Sequence, residues 1–489
     1  MESLNDTSSF ASLNRTGLIR RIMVGSAFPV KLEIPFMRSH RLSIALLIFV
    51  LALFFYLIGI NTFFRHDDWL ILGNSITFLP KDWTFLWDNR LYFSPTRLDT
   101  WFFRPFFKLG VWGGYQIFGL NHTCWILFQY GLFVSAVLIG GISFRSFDGG
   151  SKKSVWFTVL SLVSLSYYFA NIAWIGEGMM NIPQLFLLSL SLYLFLKPLK
   201  TTGLLSLFCY LLSLGFKESA VFFPVFLGAV DPSAFNQKSK RLSLGWFYGV
   251  MVVYLVWRIG FVPLNPGYRP ILNFVSIARP LVFFTGLLAI PFIALAANGY
   301  RVAFKTKSEI KTALLICVFL GLLVVPHLGH PFFSPGWLLL PGFLSVWSLI
   351  FLVDSKKIEG LPLLRTAVFC LILSLIPIAW QSYRIGWFDW FKSQKAIHDY
   401  LRDFQEETAS LIEIENCPNP KFPQVTFERV IGGVENLEHL WRIYHRTPLA
   451  FRLLPCGDQS VSPGIHSNPL IQWRFPDANF SGPNSPAQK

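Results

Sequence analysis

The chain has 489 residues, of which 53% are hydrophobic and only 14% charged, with a formal net charge of +15 and a mean hydropathy of +0.49. A soluble chain carries about a quarter charged residues, so this composition excludes an ordinary soluble enzyme and points to lipid as the solvent. The basic excess does not indicate nucleic acid: Lys and Arg sit in short clusters between apolar stretches, as in cytoplasmic loops under the positive-inside rule.

Residues 1–41 are polar and basic, with Arg15, Arg20, Arg21, Lys31, Arg38 and Arg41 ahead of the first apolar stretch. That stretch, 42–60, is long enough to cross a bilayer and lacks a small-residue cleavage site. It reads as a first span entered from the cytoplasm, not as a removable signal. A Trp-rich outer loop over 61–122 follows, in which 69–79 and 82–88 read as helices lying on the outer surface. Trp69, Trp83, Trp87, Trp101, Trp112 and Trp125 read as an interfacial layer.

Further apolar segments lie near 123–143, 155–171, up to Lys197, 202–216, up to Val230, 243–262, 281–298, 312–326, 338–353 and 362–380. The third and fourth are joined by a turn at WIGEGMMN, the fifth and sixth by one at GFKES. With the N-terminus inside, every even-numbered span ends at a basic loop, so about eleven spans leave the tail outside. Counts of ten or twelve stay open near the interrupted segments.

Residues 381–470 read as a small extracytoplasmic α/β appendage and 471–489 as a disordered tail. Trp387, Trp390, Phe391, Ile397, Tyr400, Leu401 and Phe404 recur at helical spacing, predicting an amphipathic helix over 386–406 at the membrane surface. PQVTFERVI reads as a strand and NLEHLWRIYH as a helix. Cys124, Cys209, Cys317 and Cys370 fall in apolar spans as small hydrophobes, while pairing of Cys417 with Cys456 in the tail stays open.

The polar residues that stand out sit at outer helix ends. His66, Asp67 and Asp68 follow the first span, and two adjacent carboxylates at a membrane helix end are costly unless solvated, paired or metal-bound. Two readings stand. In one, a carboxylate is a general base for an acceptor hydroxyl and its neighbour orients it or helps to hold a divalent cation. In the other, the pair is a solvated helix end. Glu177 and Lys217-Glu218 occupy the turns between short apolar segments, a pattern that often lines a polar cavity. Lys217 suits a phosphate as a point charge, with Glu218 fixing it; the alternative is a local ion pair.

Arg104, Arg258, Arg269 and Arg279 share the same side, and Arg grips phosphate oxygens in a bidentate fork. Taken singly, each is equally a headgroup anchor. His327 and His330 have ligand-like spacing but no fixed third ligand, so no metal site is assigned. There is no GxGxxG, P-loop or GxSxG motif.

Taken in order, the first span, HDDW with Asn74 beyond it, the Trp-rich loop, FRPFF and FGLNH resemble the GT-C class of membrane glycosyltransferases. The closer similarity is to the O-mannosyltransferase-type branch that uses polyprenyl-phosphate sugars. It is carried by Asp67-Asp68, Arg104-Pro105, and Lys217-Glu218 with Pro224, over roughly 42–230. The sequence departs from that branch before the fourth span: Ala170-Asn171 and Gly176-Glu177-Gly178 stand where a His-Pro…Glu element and a Gly-Arg are usual. Sugar and acceptor are thereby left open.

The resemblance implies an all-α polytopic GT-C-like domain over 42–380. A polyprenyl-phosphate-linked sugar would enter from the bilayer and an extracytoplasmic glycan, lipid or protein acceptor from outside. Transfer would be a single inverting displacement, with Asp67 as base and Asp68 in support. Lys217, Arg104, Arg258 and Arg269 would bind the donor phosphate, and Glu218, Glu177 and His66 would support them. The implied location is a bacterial inner membrane. The rival readings are a transporter or flippase of a lipid-linked intermediate, which needs polar residues along the spans, and a membrane scaffold.

Overall fold

The computed structural model describes residues 35–64, 67–78, 83–87, 104–146, 150–197, 200–231, 234, 237–260, 274–298, 307–324, 337, 339–353, 362–385, 387–403, 411–416, 434–445, 450–455, 470–474 and 479–481. Most of these residues are helical. In order the helices are α1 Pro35–Asn61, α2 Asp67–Phe78, α3 Pro105–Phe118, α4 His122–Ser143, α5 Gly150–Val163, α6 Phe169–Ala173, α7 Ile175–Phe195 and α8 Lys200–Leu214. They continue as α9 Phe223–Val230, α10 Lys238–Gly260, α11 Phe274–Ala297, α12 Lys307–Val324, α13 Leu339–Leu352, α14 Leu363–Ile385, α15 Trp387–Asp403 and α16 Val434–Tyr444.

Among the described residues, five helical stretches are long and apolar enough to cross a membrane: Leu42–Asn61, His122–Ser146, Ile175–Phe195, Lys240–Gly260 and Pro280–Ala297. Their outward faces are compatible with an integral membrane protein. Leu46 and Phe49 on α1, Val253 and Val256 on α10, and Leu364 and Ile376 on α14 are all exposed. Inside, rings interlock: Phe133 of α4 stacks on Tyr168 at 4.0 Å, and Phe144 on Trp347 of α13 at 4.6 Å.

Local chemistry sets the boundaries. Asn121 caps α4 by accepting from the Cys124 amide at 3.2 Å. Pro105 opens α3, where its missing N–H is no loss. The 155–171 stretch, read from sequence as one span, is broken: α5 stops at Val163, and the short turn Leu165–Tyr167 precedes α6. Carbonyls near the end of α5 are met by the Tyr167 hydroxyl, which donates to Ser161 O, and the Tyr168 hydroxyl, which donates to Leu162 O. Likewise WIGEGMMN is not a loop; the chain turns at the extended Trp174 and α7 begins at Ile175.

The outer loop also departs from expectation. Helix α2 does not lie on the surface, because Trp69, Leu70, Ile71 and Leu72 are all buried. Trp69 and Trp125 therefore belong to the core instead of an interfacial layer, whereas Trp83 and Trp87 are exposed. The glycine-rich FFKLGVWGGYQIF stretch is helical α3, whose Gly114 leaves room for the Trp125 ring.

The tail contains α15, α16 and a four-stranded sheet in the order β2-β1-β3-β4, with β1 Leu411–Asn416, β2 Ala450–Pro455, β3 Leu470–Arg474 and β4 Asn479–Ser481. Strands β2 and β3 run parallel to β1, and β4 runs antiparallel to β3. Helix α16 makes the crossover between β1 and β2. The expected helices are present, and the first described strand is LIEIEN; PQVTFERVI, expected to be a strand, lies outside the described residues, and β3 and β4 put strands into the 471–489 stretch expected to be disordered. Cys417 and Cys456 also lie outside them, as do residues 1–34; Cys124, Cys209, Cys317 and Cys370 are free thiols.

The tail docks through His398 of α15, buried between the Phe63 and Trp69 rings and bonded through Nε2 to the Tyr444 hydroxyl. Burial pulls the imidazole below its ordinary value of 6.5, opposed by Asp399 and then modulated by Arg402 and Asp403. The undocked imidazole therefore takes up a proton more readily than the docked one. Docking is fully favoured above that ordinary value and weakens as pH falls from it towards the lowered docked value. Limited proteolysis should accordingly cut the tail faster at pH 5 than at pH 8, and His398→Phe should flatten that difference.

Candidate functional site

The site is built where the ends of α2, α3, α7, α8 and α10 meet. Helix α7 begins after Trp174, a residue with no capping oxygen, so its first amides need an acceptor from elsewhere. Asp68 supplies it: its Oδ1 accepts from the Gly176 amide at 2.6 Å. A carboxylate at a helix N-terminus is favoured by the helix dipole as well as by the hydrogen bond. Asp68 is thus a structural tie between the acidic helix and α7. Asp67 opens the same helix, and its side chain lies outside the described residues, as do His66, Arg269 and the side chains of Asn74 and Arg279. His327 and His330 lie outside them too.

One residue beyond Gly176 stands Glu177, and one turn further Asn181. The Asn181 amide nitrogen donates to Glu177 Oε2 at 2.9 Å and to Asn171 Oδ1 at 2.7 Å, while its oxygen accepts from Lys217 Nζ at 2.8 Å. Lys217 Nζ is also 3.7 Å from Glu177 Oε2. Lys217 lies in the turn after α8, where burial holds its ammonium below the usual lysine range against the pull of Glu177. Gln184 staples that turn, donating to Lys217 O and accepting from Ser219 Oγ at 2.8 Å.

Glu218, the next residue, is gripped by Arg104. The guanidinium Nη2 donates to Oε2 at 2.7 Å and Nε reaches both oxygens at 3.2 Å. The start of α3 is fixed against the same turn, since the Phe106 amide donates to Gly215 O at 3.1 Å. A continuous path of contacts therefore runs from Asp68 through Gly176, Glu177, Asn181 and Lys217 to Glu218 and Arg104. Lys108, one turn along α3 from Arg104, is also fully buried.

Arg258, in the last turn of α10, differs from Arg104. Its Nη1 is buried yet has no hydrogen-bond partner among the described residues, and the Tyr254 hydroxyl one turn earlier is in the same condition. Both interact electrostatically with Glu218, and Tyr254 also with Arg104. Val256 and Ile259 beside them are exposed, so these two donors lie at the rim between the polar interior and the apolar outer face. Unpaired buried donors are costly, which makes the pair suited to an anion with several acceptor oxygens. Among the described residues no group of three His, Cys, Asp or Glu is placed to hold a metal ion.

Sequence reading found the ionisable groups but missed the amides that join them, Asn171, Asn181 and Gln184, and the hydroxyl of Tyr254. The signal was the polarity of Asn171, Asn181 and Gln184 inside otherwise apolar segments. The glycines of IGEGMM have a steric reason. A Cβ on Gly178 would run into the Asn171 carbonyl oxygen and the Gln129 side chain, whereas one on Gly176 would meet the movable Ile71 Cδ1 at 2.7 Å and Asp68 Oδ1 at 3.0 Å. Gly178→Ala should therefore be the more damaging change, by about 1–3 kcal/mol or more. Thermal unfolding of the two variants in detergent checks the order.

The fold is that of a largely helical chain with long apolar helices, compatible with an integral membrane protein, and with a polar cluster where several helix ends meet. No protein-family model matches the chain, and no curated protein matches it.

Proposed function

We propose that the chain is a GT-C-like membrane glycosyltransferase of about eleven spans, with the cluster on its extracytoplasmic side, transferring a sugar from a polyprenyl phosphate to an extracytoplasmic acceptor. The observation that carries the reading is the path of contacts from Asp68 to Arg104, with the Arg258 Nη1 and the Tyr254 hydroxyl, which have no hydrogen-bond partner among the described residues, beside it. Asp68 stands at one end of the path and Arg104 at the other, with Lys217 between them.

In this reading Asp67 takes the proton of an acceptor hydroxyl, and that oxygen attacks the anomeric carbon from the face opposite the phosphate. The carbon–oxygen bond to phosphate breaks and its electron pair leaves with the phosphate. Arg258 and Tyr254 meet that developing charge with Lys217 behind them, and donors already in place act without reorganisation. Arg104 supports the site by holding Glu218, because all three of its nitrogens are already engaged, Nε and Nη2 by Glu218 and Nη1 by the Met180 sulfur. Asp68 supports it by holding α2 against α7. The apolar face next to Arg258 suits a donor arriving sideways from the bilayer, which favours a lipid-borne phosphate over a soluble nucleotide sugar.

The order of apolar helices supports the span count: five long ones, five shorter ones and α5 follow the eleven apolar segments of the sequence. The test is the purified protein in lipid nanodiscs with a panel of polyprenyl-phosphate sugars and acceptors, read as release of polyprenyl phosphate. Release from one donor, abolished in Asp67→Asn, is expected. No release from any donor, together with movement of a labelled lipid-linked sugar across liposomes, would overturn transfer in favour of transport.

A further inference from the structure

The acidic helix α2 is held from two sides. Successive residues on a helix point about 100° apart, and Asp68 and Trp69 use that divergence: Asp68 reaches α7 of the bundle, while Trp69 reaches the tail. The Trp69 Nε1–H donates to Gln394 Oε1 at 3.2 Å, and the Trp69 ring lies parallel to His398 at 5.7 Å and 14°. Phe63, just ahead of the acidic pair, packs on the other part of His398 at 4.5 Å. His398 is bonded in turn to Tyr444 of α16, and His445 contacts Leu401 O at 2.9 Å, so α15 and α16 form one unit. Trp69 is fully buried, and Gln394 and His398 nearly so.

An extracytoplasmic appendage that served only another partner would have no reason to bury polar side chains against the residue next to Asp68. Here Gln394 and His398 both face into that contact. We propose that the tail is a clamp on the acidic helix: Gln394 and His398 act through Trp69 as positioning residues that keep Asp67 and Asp68 in register with α7. This rests on the reading of the acidic pair as the reacting carboxylates. The two fastenings work as a pair: Asp68 ties α2 to α7, and Gln394 and His398 tie it to α15.

The experiment uses the full chain in nanodiscs and the variants Gln394→Ala and His398→Ala, each with a conservative partner. Gln394→Glu keeps an acceptor for the indole N–H, and His398→Phe keeps a ring against Trp69. A misplacement of about 1 Å costs about 10²-fold in rate, so both alanine variants are expected to lose about 10²-fold in kcat with donor KM within about twofold. Both conservative variants should recover most of the loss. Hydrogen exchange over 67–78 should quicken in the alanine variants and return to the wild-type rate in the conservative ones.

Wild-type kcat in both alanine variants, alongside an inactive Asp67→Asn, would overturn the clamp and leave the transfer reading standing. If the wild-type protein transfers no sugar, the transfer reading fails and the exchange data alone decide: an unchanged rate over 67–78 overturns the clamp. Should His398→Ala fail to fold, Gln394→Ala carries the same readouts.

Discussion

Asp67→Asn is expected to lower turnover by about 10²–10⁴-fold, because the amide removes the proposed general base. Asp68→Asn should behave differently. Its side chain is committed to the Gly176 amide at 2.6 Å, and an asparagine oxygen can still accept there. Loss of the charge weakens the hydrogen bond and its interaction with the α7 dipole by about 1 kcal/mol, so turnover should fall less and thermal stability slightly more. Steady-state kinetics and melting curves of the two variants separate base from support. Equal kinetics in both variants and wild type would remove the assigned roles.

Arg104→Ala and Glu218→Ala carry the largest expected stability effects. Each leaves a buried partner uncompensated, which in comparable pairs costs about 3–5 kcal/mol. The discount for exposure is small, since the two side chains are only 7% and 21% accessible. The double change to Met at both positions should be far milder than the sum, because no stranded charge is left. A double-mutant cycle on thermal unfolding reads the coupling directly. Arg258→Ala is the contrast: no internal hydrogen bond holds its Nη1 among the described residues, so the protein should melt near the wild-type temperature and lose affinity for the donor.

Apolar segments were legible in the sequence because crossing a bilayer imposes a length and a composition. The residues at their ends were legible because charge is rare in such a chain. Breaks inside segments were not: nothing local marks Val163 as a helix end, and the reason for it, the hydroxyls of Tyr167 and Tyr168 turning back on α5, is tertiary. Trp69 misled for a related reason. A tryptophan after a first span usually sits in the headgroup layer, and here the docking of α15 on one side with the Phe63 and Phe64 rings beside it puts it in the core. The candidate site was visible as separate acidic and basic pairs, whereas their connection depends on Asn181 and Gln184, whose side chains reach other helices. The strand LIEIEN escaped because its alternation is short and acidic on one face; Ile412 and Ile414 are buried once α16 and β2 have closed over it.

The most direct measurement is native mass spectrometry of the purified protein with polyprenyl phosphate, in wild type and Arg258→Ala. The expected result is one bound lipid phosphate on the wild type, at least tenfold weaker in the variant, and not displaced by free inorganic phosphate. Equal retention of the lipid by both proteins, or none by either, would contradict a phosphate site at the meeting point of these helices.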